Sequence, residues 1–130
     1  MAGILVIEND ATFLDLLRVH LTSAGHEVHT APDAAAGLRA VIESRPDAII
    51  LDLFVPYMHG LEVLEALHGD PATASIAVIV LTGATDENLY ARAQKLGAAD
   101  YLTKPVQRET LLASIDRVLG ERRPGKAERP

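Results

Sequence analysis

An α/β fold with a doubly wound, five-stranded parallel sheet is the expectation for this chain, and three observations carry it. Short β-rich apolar runs alternate with longer stretches of helical spacing, five of each, as βαβ units around a parallel sheet do. Three of those runs, ILVI, AIIL and IAVIVL, contain no polar residue, as expected of strands covered by helices on both faces. The chain has 130 residues, 48% of them hydrophobic, enough for one domain with a real core.

The elements follow in order. ILVI at 4–7 is the first strand. In the helix read over 12–24, Phe13, Leu16, Leu17, His20 and Leu21 recur at i, i+3, i+4, i+7 and i+8, which gives one buried face and leaves Asp15 and Arg18 outside. Gly25 stands just past this helix, where a left-handed residue is wanted. EVHTA alternates polar and apolar, so the strand at 28–31 belongs at an edge. Asp33 is placed to N-cap a helix over 33–44, and Pro46 stops it. A strand at 48–51, a helix over 61–68 and a strand at 76–81 come next. Gly97 ends a helix over 87–96, a short strand occupies 100–102, and the last helix, 109–119, buries Leu111, Ile115 and Val118.

With right-handed crossovers and the weaker strands two and five at the edges, the order is 2-1-3-4-5. In that arrangement the ligand crevice opens at the carboxyl ends of strands one and three. The tail at 121–130, ERRPGKAERP, loses apolar periodicity and reads as a disordered end or the start of a linker after a domain at 1–120.

Composition excludes several classes. A net charge of −6 opposes sequence-independent binding to a phosphate backbone, so direct nucleic-acid binding is not expected. The N-terminal MAGILVIEND lacks a basic region, and its apolar run is far shorter than the ~20 residues of a membrane span. With no cysteine the chain has no thiolate chemistry, and a reducing, cytoplasmic setting fits. His20, His26, His29, His59 and His68 share no face with metal spacing and read as surface or helix-end residues.

Four loops at the carboxyl ends of the strands carry Glu8, Asn9 and Asp10, then Asp52, then Thr82, then Lys104. Any one of them is an ordinary wet-loop residue. Together they form a chemically coherent set. Close carboxylates with a further oxygen ligand suit magnesium, which takes one or two carboxylates plus phosphate oxygens. A carboxylate such as Asp52 becomes a nucleophile toward phosphorus when a metal and a cation neutralise the incoming group, with Lys104 and Thr82 holding its oxygens.

The stretch DLFVPYMHG at 52–60, the pair Glu8 and Asn9, the LTG at 81–83 and the ADYLTKP at 99–105 resemble the receiver domain of bacterial two-component response regulators. The similarity covers essentially 4–119. It implies a chemotaxis-regulator-like, flavodoxin-like three-layer sandwich that acts as a signalling switch, catalysing its own phosphorylation and dephosphorylation, rather than as an enzyme. Asp52 would accept a phosphoryl group from a histidine kinase or phosphotransfer protein. Magnesium would be held by Glu8, Asn9, Asp52 and the backbone carbonyl of Phe54. Thr82 and Lys104 would contact the phosphoryl group, and the rotamer of Tyr101 would report the position of Thr82. The Lys104–Pro105 peptide is often cis in such domains. Output, through an attached domain or a target protein, would use the face of the fourth helix, fifth strand and fifth helix, where Leu112 and Leu119 are candidates for a homodimer contact.

One position departs from the pattern: an acid usual in the family is the amide Asn9. A charge about 4 Å away is worth up to ~4 kcal/mol at an effective dielectric of about 20, so magnesium affinity is expected to fall by less than that ceiling. Asp10 is one residue late and would need a register shift to replace the missing acid. Three outcomes are open. Phosphorylation proceeds at higher magnesium; or it is slow but long-lived, because Phe54 and Ala84 cannot orient an attacking water; or the domain is a phosphorylation-independent interaction module. Rival classes fit less well. An aspartyl phosphatase of the haloacid dehalogenase type needs a second acid where Phe54 stands, and GxxxxGK[ST] is missing. A flavodoxin would carry a phosphate-cradling loop where Glu8 and Asp10 lie.

Overall fold

The computed structural model describes residues 2–55, 58–83 and 86–122. Its elements are β1 (Gly3–Ile7), α1 (Ala11–Ser23), β2 (Glu27–Ala31), α2 (Ala34–Ser44), β3 (Ala48–Leu51), β4 (Phe54–Val55), β5 (Met58–His59), α3 (Gly60–Gly69), β6 (Ala77–Thr82), α4 (Glu87–Lys95), β7 (Asp100–Thr103) and α5 (Arg108–Arg122). Five strands make one parallel sheet in the order β2-β1-β3-β6-β7. That is the expected 2-1-3-4-5 arrangement. The short pair β4–β5 is an addition to it: a separate antiparallel ladder pairing Phe54 with His59 and Val55 with Met58.

Side-chain alternation along the strands divides the interior in two. Leu5, Ile7, Ile49, Leu51, Val78 and Val80 point to a core shared with residues of α2, α3 and α4. Ile4, Val6, Ala48, Ile50, Ile79 and Leu81 point to the opposite core, closed by Leu17 and Leu21 of α1 and Leu111, Ile115 and Val118 of α5. β1 and β3 are thus apolar on both faces because each face is covered by helices. β2, at one edge, keeps Glu27 and His29 exposed.

Helix ends follow local chemistry. Asp10 caps α1, Asp33 caps α2 and Asp86 caps α4, each accepting backbone N–H groups of the first turn. Gly25 and Gly97 have φ of 94° and 97°, as expected of residues just beyond helices. α2 closes on Arg45, itself left-handed at φ 47°, directly before Pro46. His59 caps α3: its Nδ1 accepts from the Leu61 N–H, while Glu62 Oε1 accepts from the His59 N–H.

The packing corrects one helix face. Leu16, expected in the buried stripe of α1, is 48% exposed, and Leu14 is half-buried against the core in its place. Both readings fit a 3.6-residue period; the core places Leu14, Leu17 and Leu21 on the buried side. On α5, Leu112 and Leu119 are half-buried against the core rather than free on the surface. Among the histidines, His29 and His68 are exposed and His20 half-buried. His26 is half-buried, with an Nδ1 that has no hydrogen-bond partner among the described residues. Pro56, Ala84 and the tail beyond Arg122 lie outside the described residues.

Candidate functional site

Each site residue is fixed by the sheet ladder running one rung past its strand. The Glu8 N–H donates to the carbonyl of Ala31, the Asp52 N–H to that of Ile7, and the Lys104 N–H to that of Thr82, at 3.0, 3.1 and 2.9 Å. Three side chains from distant stretches of sequence are thereby delivered to one end of the sheet. Thr82, the last residue of β6, pairs with Thr103 and is fully buried.

These side chains meet. The Lys104 ammonium bridges Glu8 Oε1 at 2.8 Å and Asp52 Oδ2 at 3.0 Å. The second oxygen of each carboxylate accepts a backbone N–H, Glu8 Oε2 from Asp10 at 2.9 Å and Asp52 Oδ1 from Phe54 at 3.1 Å. Both acids are buried, so charge-assisted bonds to an ammonium carry weight that exposed pairs lack. Burial works against the charge on Lys104, but its hydrogen bonds to Glu8 and Asp52 outweigh that and hold its ammonium above the ordinary lysine range. The Lys104–Pro105 peptide is cis.

Asn9 is exposed and lines an open depression with Leu53, Phe54, Met58, His59 and Glu62. Phe54 also stands out, 55% exposed and edge-on to the His59 ring. Asp10 does not take over the role of position 9. Its carboxylate accepts from the N–H groups of Thr12 and Phe13 as the cap of α1. Tyr101 is half-buried with its ring edge-to-face on Tyr90 of α4, centroids 5.3 Å apart. Its hydroxyl is held above the ordinary phenol range by burial and then by the charge of Asp86.

The donor set is of the kind a hard divalent cation takes. Glu8 and Asp52 are buried and close enough to share one ammonium, and the Phe54 carbonyl and Asn9 amide stand beside them on the chain. All are oxygen donors. Among the described residues there is no cluster of three or more His, Cys, Asp or Glu that could hold a metal.

The response regulator receiver domain family matches residues 4–116. The chain belongs to that family. The transcriptional regulatory protein KdpE of Mycobacterium tuberculosis H37Rv is 41% identical over 115 residues, covering 88% of this chain and 50% of the relative. Protein PilH of Pseudomonas aeruginosa is 34% identical over 119 residues, covering 92% of this chain and 98% of the relative. The receiver therefore spans about half the length of the first and nearly all of the second. Among solved structures, a CheY-like receiver domain from Methanospirillum hungatei superimposes with a TM-score of 0.90 at 28% identity, covering 96% and 98% of the two chains. Receivers of this family are signalling switches of two-component systems rather than classical enzymes.

One neighbour of the site was not among the residues singled out from the sequence. The ring of Phe13, in the first turn of α1, lies under the Lys104 ammonium at 4.5 Å to its centroid. In the sequence Phe13 reads as part of a core stripe, and nothing in helical spacing distinguishes a core aromatic from one that also faces a cation.

Proposed function

We propose that this receiver accepts a phosphoryl group on Asp52 from a histidine kinase or phosphotransfer protein. The observation that carries the reading is the pair of buried carboxylates, Glu8 and Asp52, bridged by Lys104. Transfer forms a bond between an Asp52 carboxylate oxygen and phosphorus and breaks the phosphorus–nitrogen bond of the donor, whose electron pair returns to the imidazole. Glu8, Asp52 and Lys104 together carry a formal charge of −1, and the incoming group adds more. Lys104 offsets part of it by turning from Asp52 toward the phosphoryl oxygens, and the Thr82 hydroxyl donates to another. Magnesium, held by Glu8, Asp52, the Phe54 carbonyl and the Asn9 amide oxygen, would supply the remaining positive charge.

Switching then runs through Thr82 and Tyr101 to the face of α4, β7 and α5, which acts on an output domain or target protein or on a second copy of the chain. We place the domain in the cytoplasm and assign it no direct contact with nucleic acid. Its acidic composition supports this, and among the described residues no helix is long and apolar enough to cross a membrane.

The test is intact mass after incubation with acetyl phosphate and magnesium, with Asp52→Ala as control. A magnesium-dependent phosphoryl adduct, lost in the control, is the expected result. The amide at position 9 favours a second reading, a phosphorylation-independent interaction module, and the lack of any adduct even at high magnesium would select it.

A further inference from the structure

Lys104 has more holding it than its two ion pairs. An ammonium presents three N–H donors, and here carboxylates lie at 2.8 and 3.0 Å while the face of an aromatic ring lies at 4.5 Å. That distance is well inside the roughly 6 Å over which a ring quadrupole attracts a cation. The ring is itself held: Asp10 caps α1 by accepting from the Phe13 N–H at 3.2 Å, and Phe13 packs against the core between α1 and α5. The Lys104 side chain stays 24% exposed, so without the ring it has a route to water.

We propose that Phe13 is a positioning residue for phosphoryl transfer: the π face of its ring, not its bulk alone, keeps the Lys104 ammonium over Glu8 and Asp52. This rests on Asp52 being the phosphoacceptor. The role weighs more here than with an acid at position 9, because a site with Asn9 attracts less metal and leaves a larger share of the neutralisation to the lysine. Core packing alone would also put an apolar residue at position 13, but it would not require an aromatic one. Leucine keeps most of the bulk without the quadrupole, and tyrosine keeps the ring.

The experiment compares wild type, Phe13→Leu, Phe13→Tyr and Asp52→Ala in full-length chain. It reads the acetyl-phosphate phosphorylation rate against magnesium, the thermal midpoint, and the NMR shift of the Lys104 ε-methylene protons. If the ring positions the ammonium, Phe13→Leu slows phosphorylation at saturating magnesium about tenfold. Its magnesium half-saturation does not rise, since the lysine competes with the metal for the same carboxylates. Phe13→Tyr stays within about twofold of wild type. The ε-methylene protons are shifted upfield by the ring in wild type and Phe13→Tyr and return to ordinary values in Phe13→Leu.

A wild-type rate in Phe13→Leu overturns the proposal, as does an unshifted ε-methylene in wild type. Equal slowing in both variants, tracking loss of thermal midpoint, reduces Phe13 to packing and also overturns it. If wild type and Asp52→Ala alike take up no phosphoryl group, the phosphoacceptor reading falls first and the transfer role of Phe13 with it, an outcome distinct from failure of Phe13→Leu alone.

Discussion

At the scale of single residues, the polar side chains of the first loop divide their labour. Glu8 is turned inward to Lys104, Asn9 is exposed, and Asp10 is committed to the first turn of α1. A third carboxylate at the proposed metal site would therefore have to come from position 9. Asn9→Asp should tighten magnesium roughly tenfold or more, short of the full Coulomb ceiling; an unchanged dissociation constant in a metal titration would remove Asn9 from the site. Asp10→Ala should behave in the opposite sense. It costs about 1 kcal/mol of stability through the lost cap, seen in urea unfolding, and leaves magnesium affinity near wild type. The resemblance already set Asn9 rather than Asp10 at the metal position; what was not legible is that Asp10 caps α1.

At the scale of elements, the approach of α3 to the site loop depends on Gly60. A Cβ there would lie 2.4 Å from the backbone Cα of Leu53, a contact no side-chain rotation relieves. At the other end of the same helix Gly69 has open space. Gly60→Ala should thus cost about 1–3 kcal/mol or more by overpacking, while Gly69→Ala should be neutral or stabilising by up to ~1 kcal/mol, and paired denaturation curves separate the two. The sequence placed Gly60 in the loop before a helix over 61–68, whereas it is the first residue of α3, and the β4–β5 ladder beside it was not legible. Strands of two residues are too short for an alternation pattern. The exposed Leu16 escaped for a related reason: helical period fixes the spacing of a stripe, and the neighbouring sheet decides which of two adjacent stripes is buried. By contrast, the strand runs, the Asp33 cap and the left-handed Gly25 and Gly97 rest on local sterics and were readable.

The joint between β7 and α5 carries a pH signature. Burial opposes the charge of Asp100, but a hydrogen bond from Ser114 at 2.6 Å, the Tyr101 N–H and the Arg117 guanidinium outweigh it and hold the carboxyl below the ordinary range. A carboxyl depressed in the folded state adds stability above its unfolded value, near pH 4, and loses it as pH falls through the lower folded value. Ser114→Ala should therefore cost about 1 kcal/mol at neutral pH. Below about pH 4 the two proteins should converge. A constant difference across the acid limb would show that Asp100 is not the group responsible.

For the whole molecule, the legible part of the site is legible because the topology is. Once β1, β3, β6 and β7 are placed in order, their carboxyl ends bring Glu8, Asp52, Thr82 and Lys104 together whatever the loops do. The residues that tune the site, Phe13 and Asn9, depend on side-chain direction, which a one-dimensional pattern does not carry. The same topology has a thermodynamic consequence. Glu8 and Asp52 are brought together only by the pairing of β1 with β3, so the proposed metal site would exist only in the folded sheet, and a ligand bound to the native state alone raises stability by RT ln(1 + [L]/Kd). At magnesium ten times its dissociation constant that is about 1.4 kcal/mol, a rise of roughly 5 °C in thermal midpoint for a domain of this size. The rise should vanish in Asp52→Ala and, at equal magnesium, grow in Asn9→Asp. If magnesium stabilises Asp52→Ala as much as wild type, the cation binds elsewhere and the two-carboxylate site is not its home.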